Sequence, residues 1–85
     1  PTRKLNELSY TCVGRLISDG AENIPDEYKT SWNAFVIALF GMGDKLGSFY
    51  PYIVGIQIIT DITGEHKTYK RVFYKADGWS KWTLL

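Results

Sequence analysis

His66 is the one histidine of this 85-residue chain, and it stands between Glu65 and Lys67 in the polar stretch TGEHK. A Ser–His–acid relay would have to run through it. Such a relay is made by geometry, and a histidine in a polar reversal reads most simply as an exposed turn residue. Paired carboxylates for sugar hydrolysis would have to come from Asp19, Glu22, Asp26, Glu27, Asp44, Asp61, Glu65 or Asp77, and nearly all of these fall in loops and turns. A glycosidase pair also needs a cleft that raises one carboxyl pKa by burial, and so short a chain offers little depth. The run GMGDKLG lacks the GxxxxGK[ST] order of a phosphate loop. Cys12 is the only cysteine, which excludes an internal disulfide and, with a single histidine, speaks against a structural zinc. The chain is therefore read as non-enzymatic, with no cofactor and no metal.

Binding is better supplied with residues. Three Trp, six Tyr and four Phe are a clear excess at this length. The stretch GSFYPY sets Phe49, Tyr50 and Tyr52 around Pro51, with Asp44 and Lys45 shortly before them. Exposed rings stack on the apolar faces of sugars while polar side chains fix the hydroxyls, so Asp44, Lys45, Phe49, Tyr50 and Tyr52 form the candidate ligand-binding set. An equal reading has these rings staple the loop to the core or pack against a neighbouring subunit. HKTYKRVFYK interleaves base and aromatic, as surfaces for single-stranded nucleic acid do. With a formal charge of only +1, a solvated strand face is the plainer account.

The elements that would position these groups are mostly of period two. SYTCVGRLI (9–17) alternates loosely and stops at SDG. AENIPDEYKT (21–30) reads as a loop with at most one short helix near 25–31. SWNAFVIALF (31–40) is apolar on both faces and rich in aromatic and β-branched residues, which favours a buried central strand. IVGIQIITDI (53–62) follows, then TYKRVFYKA (68–76), where Tyr69, Arg71, Phe73 and Lys75 share one face and Lys70, Val72 and Tyr74 the other. Asp77-Gly78 is a hairpin signal, and WSKWTLL returns as a last strand. On a flat strand Trp79 and Trp82 would point to opposite faces. Trp82 is then the core ring, and Trp79 belongs at a rim, at an interface or on Arg71. Cys12 reads as a small buried hydrophobe.

The expected fold is mainly β: a small single-domain antiparallel sheet or sandwich, a meander in its C-terminal half. Residues 1–8 would be a linker leading into a domain at 9–85. A domain of this size buries only roughly 60 % of its unfolded surface, so self-association is the natural supplement to its core. No apolar run reaches the ~18 residues of a membrane span. The opening PTRKLNEL, without Met, reads as part of a longer chain, and one free thiol suits assembly in a reducing cytoplasm.

LNEL (5–8), AENIP (21–25) and GIQIITDITGEHKTYKRVFYKADGWSKW (55–82) together resemble the small C-terminal modules of bacteriophage tail fibres and tail spikes, including the knob domains of R-type pyocin fibres. The resemblance rests on an LN-x-L start at Leu5, Asn6 and Leu8, and on an Asn-x-Pro loop at Asn23 and Pro25. It continues through Gln57, Asp61, Thr63 and Gly64 in the central hairpin, Tyr69 and Arg71 in a Tyr-x-Arg strand, and Trp79, Ser80 and Trp82 at the end. Lys70 inside Tyr-x-Arg and the longer GMGDKLGSFYPY connection depart from the pattern. The resemblance implies a homotrimeric virion fibre or spike with further chain upstream, its tip meeting host surface polysaccharide. A trimerisation or end-capping module without its own receptor site is the alternative, and a β-barrel for single-stranded nucleic acid the second.

Overall fold

The computed structural model describes residues 3–28, 32–42, 53–74 and 77–85, and in addition the side chains of Met42 and Ile53 are left aside. The strands are β1 (Cys12–Ile17), β2 (Asn33–Met42), β3 (Ile53–Asp61), β4 (Thr68–Tyr74), β5 (Gly78–Trp79) and β6 (Thr83–Leu84). They form one antiparallel sheet in the order β1-β2-β3-β4-β5, with β6 also paired to β4. The meander expected of the C-terminal half thus runs through the whole sheet. The described strands make one layer and not a sandwich.

Register follows from the turns and from one buried face. Leu16 lies across from Ala34, Val36 from Ile59, and Ile59 in turn from Tyr69. All five are buried, so a single face collects the alternate apolar residues of four strands. Gly64, with φ 67, and His66, with φ 60, turn the chain between β3 and β4. His66 is exposed there, as the polar reversal implies.

The buried face is covered by irregular chain. Leu5–Glu7 form a 3-10 turn, and Leu5 and Leu8 are core residues, so the stretch read as a lead-in supplies part of the core. It is held by backbone bonds from Leu5 N–H to Glu22 O (3.2 Å) and from Glu22 N–H to Arg3 O (2.9 Å). The short helix expected near 25–31 is instead found at 5–7, while Tyr28 N–H closes a turn on Pro25 O. Residues 29–31 lie outside the described residues. Tyr28 packs between Trp32 (5.3 Å between centroids) and Tyr69 (5.7 Å). Phe40 lies across from Gly55, where a Cβ would collide with its ring, and its far edge meets Trp79. Gly55 is small because the ring needs its space.

The opposite face carries no cover among the described residues. β2 was expected to be buried on both sides, and it is central in the sheet, yet its odd residues Phe35 and Leu39 are exposed. The continuous apolar pattern is the same for a strand covered twice and for one covered once.

Candidate functional site

Gln57 and Arg71 face each other across β3 and β4 on the covered side, at 0 % and 5 % exposure. A buried glutamine has to find partners for both its donor and its acceptor atoms. Its Nε2 donates to Leu5 O (2.7 Å) and Leu8 O (3.3 Å), and its Oε1 accepts from Arg71 Nε (2.9 Å). The opening turn of the chain is therefore fastened to the middle of the sheet by one side chain.

Arg71 has no carboxylate partner among the described residues. Its guanidinium lies instead against two indoles, 3.9 Å from the Trp79 centroid and 4.6 Å from that of Trp82. A desolvated cation on an indole face gains about 2 kcal/mol, which offsets part of the burial penalty. Burial still pulls its pKa down to about 10, and Nη2 is buried without a hydrogen-bond partner among the described residues.

Both tryptophans reach one cation, which corrects the expectation that they divide between faces. The register explains it: Phe73 faces Trp79, whereas Lys70 faces Thr83, so the returning chain carries one extra residue between them. A bulge of this kind reverses the facing of every later side chain. Ser80 sits at the break. Its N–H donates to Val72 O (2.8 Å), and its Oγ accepts the Val72 N–H (2.9 Å), where a regular ladder would use a carbonyl. Trp82 then returns to the covered side, and its Nε1 donates to Asn23 O (3.1 Å). Asn23, in the left-handed region at φ 64, accepts the Asn6 N–H on its Oδ1 (3.2 Å).

Gln57 and Arg71 are buried at the centre of this cluster, and the two indoles are half-buried at its margin. Its chemistry is structural: it ties the start, the first long loop and the end of the chain to the central hairpin. Elsewhere, Asp61 Oδ1 accepts from the Thr63 N–H and hydroxyl, so that acid shapes a turn. No group of three or more His, Cys, Asp or Glu that could hold a metal occurs among the described residues. Of the basic–aromatic run, Tyr69 and Arg71 are buried, which leaves Lys70 and Tyr74 exposed towards the open side. Cys12 is half-buried against the core. The predicted ligand set Asp44, Lys45, Phe49, Tyr50 and Tyr52 lies outside the described residues.

Two ionisable groups of the covered side shift in opposite senses. Burial first, then the Asp61 carboxylate and Tyr69, push the Tyr28 phenol from 10.0 up to about 12, while its hydroxyl donates to Lys67 O (3.0 Å). A raised folded pKa gives stability that is complete below pH 10 and is lost as pH climbs towards 12. Arg71 runs the other way: burial holds its folded pKa, about 10, below the unfolded value, so the folded state gains as pH rises above 10. Tyr28→Phe removes the first contribution and keeps the second. The urea midpoint of this variant is expected to rise relative to wild type from pH 10 upward; a constant difference between the two curves would refute the assignment.

A groove lies on the open side of the sheet. Leu39, Gly41, Val54, Ile56, Val72 and Tyr74 line it over about 480 Å³. Comparison with protein-family models, with curated proteins and with solved structures returned no match to this chain.

Proposed function

We propose that the chain is a non-enzymatic tip module of a bacteriophage tail fibre or tail spike, which attaches the homotrimeric virion fibre to host surface glycan. One observation carries this reading. The short fragments that resemble such modules, scattered from residue 5 to residue 82, meet in one bonded cluster. Leu5 and Leu8 accept from Gln57, Gln57 accepts from Arg71, Arg71 lies on Trp79 and Trp82, and Trp82 donates to Asn23, which holds Asn6. Leu5, Asn6, Leu8, Asn23, Gln57, Arg71, Trp79 and Trp82 touch as residues of a shared scaffold should, while Asp61 and Thr63 shape the separate turn after β3. They serve the scaffold, so the ligand falls to the connection between β2 and β3, with Asp44, Lys45, Phe49, Tyr50 and Tyr52 as its contacts.

An array of host-derived polysaccharides tests the assignment. Wild type is expected to bind, and the double variant Tyr50→Ala, Tyr52→Ala to bind at least about tenfold more weakly, since about 1.4 kcal/mol of lost stacking is already a factor of ten. No binding by either protein removes the glycan reading.

A further inference from the structure

The two edges of the sheet differ in kind. Beyond β4 the edge is made of the short β5 and β6, broken at Ser80, where a hydroxyl takes the place of a carbonyl. Short, interrupted strands blunt an edge against further pairing. β1 has neither device: CVGRLI runs for six residues without a proline or a break. Thr11 Oγ1 donates to Phe40 O (3.1 Å) and accepts the Phe40 N–H (2.9 Å), and Trp32 O accepts the Ser18 N–H. The even residues of β2 therefore turn their backbone groups towards β1, where Cys12, Gly14 and Leu16 answer them. The N–H and C=O groups of Val13, Arg15 and Ile17 point away from the sheet and find no partner among the described residues.

We infer that β1 is a docking edge for an extended segment of another protein, added as a further strand, in which one acidic residue stands between two apolar ones. Main-chain bonds to Val13, Arg15 and Ile17 supply the attachment, and alternate side chains supply the choice. An added strand lies about 4.8 Å away, with successive side chains on opposite faces. On the open face Arg15 is exposed and makes no ion pair among the described residues. A carboxylate directly across from it completes an ion pair, whereas a cation there is repelled. The two neighbours of that acid point to the covered side. There a groove of about 200 Å³ opens beside the strand, with Leu5, Leu8, Tyr10, Cys12, Leu16 and Val36 in its lining. Gly14 stands in its wall with nothing within 4 Å of the place of its absent Cβ, so apolar side chains have room to enter. A second β1 is a poor occupant. Arg15 is the only charge in CVGRLI, and a copy laid antiparallel about Arg15 sets two cations opposite each other.

The probe is a capped peptide Thr-Val-Glu-Val-Thr titrated into the whole chain, with Thr-Val-Lys-Val-Thr as its control. At saturation with the glutamate peptide, the amides of Val13, Arg15 and Ile17 are expected to exchange about tenfold more slowly. The lysine peptide is expected to bind about tenfold more weakly, and Arg15→Glu to invert that preference. Val13→Pro removes an outward N–H that the β1–β2 ladder does not use. It should keep the β-type circular dichroism while affinity falls about tenfold. If that variant does not fold, the inversion by Arg15→Glu decides alone. Equal binding of the two peptides, or no slowing of the three amides by either, overturns the inference. Slowing of these amides by protein concentration alone overturns it too, since another copy would then hold the edge. No glycan enters the readout, so this reading and the attachment reading fail separately.

Discussion

Replacing Gln57 by Leu is expected to destabilise the chain by about 3–4 kcal/mol, although the volume hardly changes. The side chain is fully buried and joins three groups: the carbonyls of Leu5 and Leu8 and the Nε of Arg71. Leucine fills the space and leaves Leu8 O and Arg71 Nε without a partner, while Leu5 O keeps only the Leu8 N–H (3.2 Å). Each buried orphan costs about 1–3 kcal/mol, and the cationic one lies towards the upper end. Arg71→Met should be milder, because it removes the buried charge and orphans only the Gln57 oxygen. In Gln57→Leu, Arg71→Met the two losses should fall short of adding, by about 0.5–3 kcal/mol. Urea denaturation of the four proteins measures this. Hydrogen exchange adds a local signature: the Leu5 and Leu8 amides should open ahead of the sheet in Gln57→Leu. A loss below about 1 kcal/mol for Gln57→Leu would mean that this network does not hold the opening turn.

How far the sequence discloses this arrangement depends on the kind of signal. Alternation and turn residues suffice for the strands, because period two and Gly64 or Gly78 are local properties. The burial of Arg71 is not local. A Tyr-x-Arg-x-Phe face reads as a mixed surface until its cover is known, and that cover comes from residues 5–8 and 79–82, far away in sequence. One usable signal was present: Gly64 stands seven residues from both Gln57 and Arg71, so a hairpin centred on it pairs them. The open face was obscured for the opposite reason. Ile37, Leu39, Ile56 and Ile58 carry the same apolar pattern whether their strands are covered twice or once. The candidate ligand residues rest on composition, and the described residues do not include them.

The ending of the chain gives the other large effect. Trp82→Ala is expected to cost about 3–4 kcal/mol, for the loss of a large ring, its contact with Arg71 and the bond to Asn23 O. Trp82→Phe keeps a ring and loses the indole N–H, so about 1 kcal/mol of that penalty should remain. In an Arg71→Met background, Trp82→Ala should cost about 1–2 kcal/mol less, since no cation is left to stack. Changes of length separate the ring from the register that places it. Trp82 reaches the covered side because one extra residue follows Trp79. Deleting Lys81 makes a regular strand that delivers Trp82 to the same face, and stability should change by less than about 1 kcal/mol. Inserting one glycine after Lys81 removes no side chain, yet with the bulge at Ser80 kept it turns Trp82 towards the open face, opposite Lys70, and should cost as much as Trp82→Ala. Thermal unfolding of the deletion and the insertion side by side decides the matter. If both lengths are equally tolerated, the bulge does not set the facing of Trp82, and the convergence of the two tryptophans on Arg71 needs another cause.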